Sequence, residues 1–186
     1  KTTNQQKGYR LKAHEFSAIA SAVVIVLGLF WYIGLVMLGR IQTVVASWII
    51  STTALSLSLI TYLTSPNTTW SGGMLNASSA FAVCCTTVAV YIRSRYDRVR
   101  VVFNPFQIKC LIASACITAL WVAIKWGMHG TGIIPNLLTQ LMLVISYTML
   151  IVKFWRADKN TESLVCWWCV FISSVIGIYT AHLKGD

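Results

Sequence analysis

The chain has 186 residues, of which 56% are apolar and only 11% charged, and its formal net charge is +10. Soluble domains carry roughly twice that charged fraction, so a single water-soluble core could not hide this much apolar surface. The basic excess comes without an aromatic-interleaved basic patch; no nucleic-acid partner is expected, and the charge reads as a topology signal and a contact for anionic lipid headgroups.

A helix that crosses a bilayer needs about 20 consecutive, mostly apolar residues. Residues 1–15 are polar and read as an amino-terminal tail. The apolar run that follows is too long for the h-region of a cleaved signal peptide, so none is expected. Between Glu15 and Arg40 no Asp, Glu, Lys or Arg occurs, and the next uncharged stretch, residues 41–92, is long enough for two spans. Its middle, Ser65-Pro66-Asn67-Thr68-Thr69-Trp70-Ser71-Gly72-Gly73, is dense in turn formers. Further uncharged stretches lie between Lys125 and Lys153 and between Glu162 and Lys184. The stretch from Lys109 to Lys125 is short, but Lys stems at both ends can snorkel to the headgroups.

The expected fold is therefore an all-α integral membrane protein with six transmembrane helices, near 16–39, 43–64, 74–93, 107–127, 133–153 and 163–182. A basic loop at 94–106, holding Arg95, Arg98, Arg100 and the turn Asn104-Pro105, separates the third and fourth spans, and 183–186 form a short carboxy-terminal tail. Lys and Arg collect after the first, third and fifth spans, at Arg40, at Arg93 to Lys109 and at Lys153 to Lys159. Basic loops stay on the cytoplasmic side. This places the Arg93–Arg100 loop in the cytoplasm and both termini outside, in the plasma membrane (the inner membrane of a bacterium).

Residues 16–93 and 107–182 each hold three spans with a similar cadence. In the first, Trp48 opens the middle span and Asn67-Thr68-Thr69 the loop after it; in the second, Gln140 and Asn160-Thr161-Glu162 stand at corresponding places. Three spans return the chain to the opposite side, so two such repeats joined by a loop that stays on one side must be inverted. Inverted triads commonly hold a substrate site near mid-bilayer.

Three-helix units with a Trp on the second helix and an Asn on the third resemble the SWEET, SemiSWEET and PQ-loop group of small-solute transporters. That resemblance implies a central site lined by an aromatic and an amide from each triad: Trp48 and Asn76 in the first, and Gln140 and Trp168, at the same separation, in the second. There is no Pro-Gln dipeptide; Pro135-Asn136 comes nearest. The linker helix of full-length SWEETs is also missing.

Read without the family, the span interiors are polar only through neutral groups, chiefly hydroxyls plus Asn76, Asn136 and Gln140, with Tyr147 in the fifth span. Buried amides need partners, at a cost of about 1–3 kcal/mol if unpaired, so these residues should meet one another or a wet cavity. Ionisable residues occur only at span ends, which argues against a proton-coupled pump with an intramembrane carboxylate. Neither a metal nor a cofactor is expected. The function that follows is facilitative transport of a small neutral or zwitterionic polar solute, with Trp48, Asn76, Asn136, Gln140, Tyr147 and Trp168 as candidate binding residues.

Two alternatives stand beside it. One is a non-transporting subunit or a pore-forming homo-oligomer, whose helices contact a membrane partner. The other is a membrane thiol oxidoreductase using Cys166-Trp167-Trp168-Cys169, since a Cys-x-x-Cys pair can cycle between dithiol and disulfide. Replacing Cys166 and Cys169 together with Ser separates them: a transporter keeps its uptake rate, whereas an oxidoreductase loses all turnover.

Overall fold

The computed structural model describes residues 2–41, 43–65, 70–96, 103–127, 133–157 and 162–184, with side chains described within 15–41, 43–65, 73–96, 103–127, 133–157 and 162–180. Among these residues every regular element is helical: α1 (Thr2–Met37), α2 (Val45–Leu63), α3 (Trp70–Tyr96), α4 (Pro105–Val122), α5 (Ile133–Arg156) and α6 (Leu164–Lys184), with a π-helical turn at Ala123–Gly127 extending α4. Five are long and apolar enough to cross a membrane, and the apolar part described for α6, Leu164–Thr180, is shorter. The chain is a multi-pass helical protein whose outer faces, from Phe16 and Leu27 to Ile178, are apolar. Hairpin residues 66–69 and loop residues 97–102 lie outside the described residues.

Local chemistry sets the helix ends. The segment expected as a polar tail is the first part of α1, in keeping with its Lys, Gln, Arg, Leu and Ala, all good helix formers. At the other end of α1, Gly39 takes the left-handed conformation with φ 69°. Its N–H bonds to Val36 O at 2.9 Å and that of Arg40 to Leu35 O at 3.0 Å, the two bonds of a Schellman cap. Arg93 of α3 donates to Met37 O at 3.1 Å, satisfying another terminal carbonyl of α1. Asn104 caps α4: its side chain accepts from Gln107 N at 2.8 Å while Gln107 returns a bond to Asn104 N at 3.2 Å, with Pro105 in the first helical position.

The helices pack in the spatial order α6, α1, α3, α2, α5, α4, with lighter contact between α4 and α2. Among the first three, α3 lies between α1 and α2. The second three do not repeat it, because α4 packs on α5 while α6 lies along α1. Small residues explain this choice, since they alone let helix backbones approach closely in lipid. Ser21 and Ser173 each donate to the other's backbone carbonyl, at 2.8 and 3.0 Å, with their hydroxyls 2.9 Å apart. One end further along, Thr180 donates to Ser17 at 2.9 Å. Towards the other end, a Cβ on Gly28 would stand 2.5 Å from Cys169 Cβ.

The same device joins α2 to α5. Ser47 and Ser146 exchange bonds with each other's carbonyls at 3.0 and 2.9 Å, and Ser51 Oγ lies 2.7 Å from Ser146 Oγ. Thr52 and Thr87 tie α2 to α3 at 2.6 Å, and Trp121 donates to Thr61 at 3.1 Å, anchoring α4 on α2. Two apolar clusters fill the spaces between. One gathers Leu29, Tyr32, Val36, Trp48 and Val83; the other gathers Ile50, Ala54, Trp121, Met142 and Met149, so α2 is the wall they share.

Gly28→Ala should force α1 and α6 apart and lower stability by about 1–3 kcal/mol, read as a lower melting temperature in detergent. Gly34→Ala, whose Cβ would meet nothing within 4 Å, should leave that temperature unchanged or raise it slightly through better helix propensity.

Candidate functional site

Five of the six helices curl around a cavity of about 220 Å³. Its walls are Ile25 and Leu29 of α1, Ser47, Trp48, Ser51 and Leu55 of α2, Ser79 and Val83 of α3, Leu143, Tyr147 and Leu150 of α5, and Cys166, Trp167, Val170 and Ser174 of α6. Helix packing runs unbroken from α6 through α1, α3 and α2 to α5. The ring closes between α5 and α6 through side chains instead. Tyr147 and Trp167 meet edge-on there, with ring centroids 5.9 Å apart at 77°, and Lys153 Nζ lies 3.7 Å from Glu162 Oε1.

Outside that closure, α5 and α6 flank a second hollow of about 620 Å³, lined by Ile151, Phe154, Trp155, Glu162 and Leu164 and sharing Tyr147, Leu150 and Trp167 with the cavity. These three shared side chains are the partition between the two spaces.

Hydroxyls stud the cavity but most of their protons are already placed. Ser79 donates to Leu75 O at 2.9 Å and Ser174 to Val170 O at 2.8 Å, while Ser47 and Ser51 belong to the Ser146 cluster. Each hydroxyl has one donor and two lone pairs, so these serines offer a ligand mainly acceptors. Trp48 adds an indole ring to the wall. It is buried, its ring packs on Tyr32 at 5.1 Å, and its indole N–H is turned towards the Tyr32 hydroxyl without completing a hydrogen bond of regular geometry.

Of the residues expected to bind solute, Trp48 and Tyr147 come together on the cavity wall. Asn76 is half-buried on α3, one turn before Ser79, and does not line it. Asn136 and Gln140 are exposed; they sit on the α5 stripe that continues through Leu143 and Tyr147, but beyond the cavity. Trp168 is 59% exposed and stacks edge-on against Phe171 at 5.7 Å. The inward stripe of α6 is Cys166, Ser173 and Thr180; two residues beyond Cys166, the helical turn of about 100° per residue carries Trp168 to the far side. Its neighbour Trp167 takes the cavity position.

The residue missed entirely is Glu162, one of only five acidic residues in the chain. Although it precedes α6, its side chain folds back into the bundle and is only 7% exposed. Tyr32 of α1 donates to Oε2 at 3.0 Å, Lys153 Nζ of α5 lies 3.7 Å from Oε1, and the Trp167 indole stands near the carboxyl. Burial pushes the Glu162 carboxyl above the usual carboxylate range, with Lys153, Tyr32 and Trp167 each pulling the other way. Its signal in the sequence was an acidic residue directly before a span, discounted as an interfacial end.

No family model, no curated protein and no solved structure matches the chain.

Tyr32→Phe keeps the ring on Trp48 but removes one donor from a buried carboxyl. Stability should fall by about 1.5–3 kcal/mol, the usual worth of a hydrogen bond to a charged group, in thermal or denaturant unfolding of the purified protein.

Proposed function

We propose that this protein is a facilitative membrane carrier that binds a small neutral or zwitterionic polar solute in the cavity between α1, α2, α3, α5 and α6. The observation that carries this reading is the cavity itself, walled by serine hydroxyls, the Trp48, Tyr147 and Trp167 side chains and aliphatic groups. At about 30 Å³ per water, 220 Å³ holds about seven waters, the bulk of a small polyol, a sugar fragment or an amino acid. Neutral donors and acceptors beside apolar and indole faces suit such solutes. Reciprocal serine pairs fasten α1 to α6 and α2 to α5, and a threonine pair fastens α2 to α3, whereas α5 and α6 meet through an aromatic pair and an ion pair, so opening between them is the motion this reading assigns. The resemblance to the SWEET, SemiSWEET and PQ-loop group supports the same reading through Trp48 on the second helix of a three-helix unit. The basic ends at Arg93, Arg95, Lys153 and Arg156 support a cytoplasmic placement of that side in a plasma membrane.

A second reading, a subunit or homo-oligomer that docks on a membrane partner, draws support from α4. That helix buries only Ser114 and Trp121, and the Ser114 hydroxyl is buried without a hydrogen-bond partner beside a hollow between α2 and α4. The thiol oxidoreductase draws less. Cys166 is buried and Cys169 is pressed against Gly28 of α1, which leaves little room for a mixed disulfide with a partner thiol.

A panel of polyols, hexoses and zwitterionic amino acids, tested by thermal shift on the purified chain, checks the carrier reading. A solute that binds the folded state at 100 times its Kd adds about 2.7 kcal/mol, and Trp48→Ala should weaken that solute at least about tenfold, the loss of about 1.4 kcal/mol. If no member of the panel shifts the wild-type protein, and Trp48→Ala alters no solute's effect, the cavity is not a solute site.

A further inference from the structure

Two acidic side chains are described, and they are opposites: Glu15 is exposed, while Glu162 is buried between three helices. From α1 it receives the Tyr32 hydroxyl, from α5 the Lys153 ammonium, and from α6 the Trp167 indole; the Cys166 thiol of α6 lies close enough to interact electrostatically. Trp167 and Tyr32 connect this carboxyl to the cavity, the first as a wall residue and the second through its ring on Trp48. Lys153 connects it to the one place where the helix ring is closed by side chains alone.

The two contacts respond differently to a proton. The Tyr32 hydroxyl can bond to the carboxyl in either form, whereas the attraction to Lys153 exists only while Glu162 is ionised. At 3.7 Å the ammonium lies beyond hydrogen-bond distance, so Coulomb attraction is what holds it. Lys153 sits one turn from the end of α5 and keeps 22% exposure, so once released it can carry its charge to the headgroup region.

We propose that the Glu162 carboxyl is a proton-binding site that controls the seam between α5 and α6. Ionised, it clamps α5 to α6 through Lys153. A proton from water at the basic end of the bundle forms an O–H bond on one carboxyl oxygen, no covalent bond of the protein breaks, Lys153 remains an ammonium, and its attraction to Glu162 is lost. Tyr147 and Trp167 are then the only described ring contact across the seam, and the cavity opens towards the hollow outside it. Resting on the carrier reading, this makes solute movement proton-linked: a proton is bound at Glu162 in the open state and released on closure.

Infrared difference spectroscopy of the purified full chain, titrated with acid, tests the site with the proton itself as probe. A protonated-carboxyl C=O band should titrate above the ordinary carboxylate range and vanish in Glu162→Gln. Lys153→Gln, which keeps the carboxyl, should move the midpoint of that band upward by about 1–3 pH units, the effect of removing a neighbouring opposite charge. At one fixed pH, Glu162→Gln should also let N-ethylmaleimide reach Cys166 several-fold faster than in wild type, with Cys166→Ser as the background. A band that survives Glu162→Gln, or a midpoint that Lys153→Gln leaves in place, overturns the proton site. Equal labelling rates overturn its control of the seam. None of these measurements uses a solute, so their failure is distinct from failure of the carrier reading, which the solute panel alone decides.

Discussion

The reciprocal serine pairs decide which helices touch. In hydrocarbon there is no water to solvate a hydroxyl and no hydrophobic gain in pressing one apolar helix on another, so association depends on close approach and on polar groups satisfied across it. Ser21 with Ser173 and Ser47 with Ser146 supply both at once: each has a side chain small enough to bring the backbones together and a proton placed on the opposite carbonyl. The pairing of α6 with α1 follows from this, aided by Ser17, Gly28 and Thr180 along the same line. Bulky Trp168, Phe171 and Val175 are left facing outward.

With those crossings fixed, the geometry of the cavity has little freedom. Five helices joined in an arc must enclose space on the inner side, and the arc's ends, α5 and α6, can meet only through whatever side chains reach across. Those happen to be one aromatic pair and one ion pair. Three of the joints carry hydrogen bonds made by small side chains, and the joint between α5 and α6 has only the aromatic pair and the ion pair.

Much of this was legible in the sequence, and the reasons for the rest are specific. Uncharged runs located the apolar part of each helix, because the bilayer imposes a length and a polarity, but they missed the polar first turns of α1, which begins at Thr2 on helix propensity alone. Trp48 and Tyr147 were found as candidates because indole and phenol groups inside spans have few structural excuses. The second triad was misjudged because cadence records the spacing of spans along the chain and says nothing about which small-residue stripes complement each other; Ser173 and Thr180 carried that information at a spacing of one heptad. Asn136 and Gln140 were expected inside on the cost of burying an amide, but they meet it by remaining exposed. Trp167 and Trp168 are adjacent, and only the phase of α6, set by its contact with α1, selects between them. Glu162 was passed over because position in the chain was taken as depth, although a side chain beside a helix start can fold back beneath it.

Charge and neutrality are also divided in a way that makes physical sense. An ionised group inside the cavity would impose a large desolvation cost on itself and a fixed charge preference on any ligand. The cavity wall avoids both, lined by hydroxyls, rings, aliphatic groups and the Cys166 side chain. The buried ion pair found among the described residues sits instead at the seam, near the helix ends where Lys153 can still reach the interface. There its marginal net stability is useful, because an interaction whose attraction and desolvation nearly cancel is one that a single proton can tip. Tyr32, bonded to Glu162 and packed on Trp48, and Trp167, on the cavity wall beside Glu162, link the two regions.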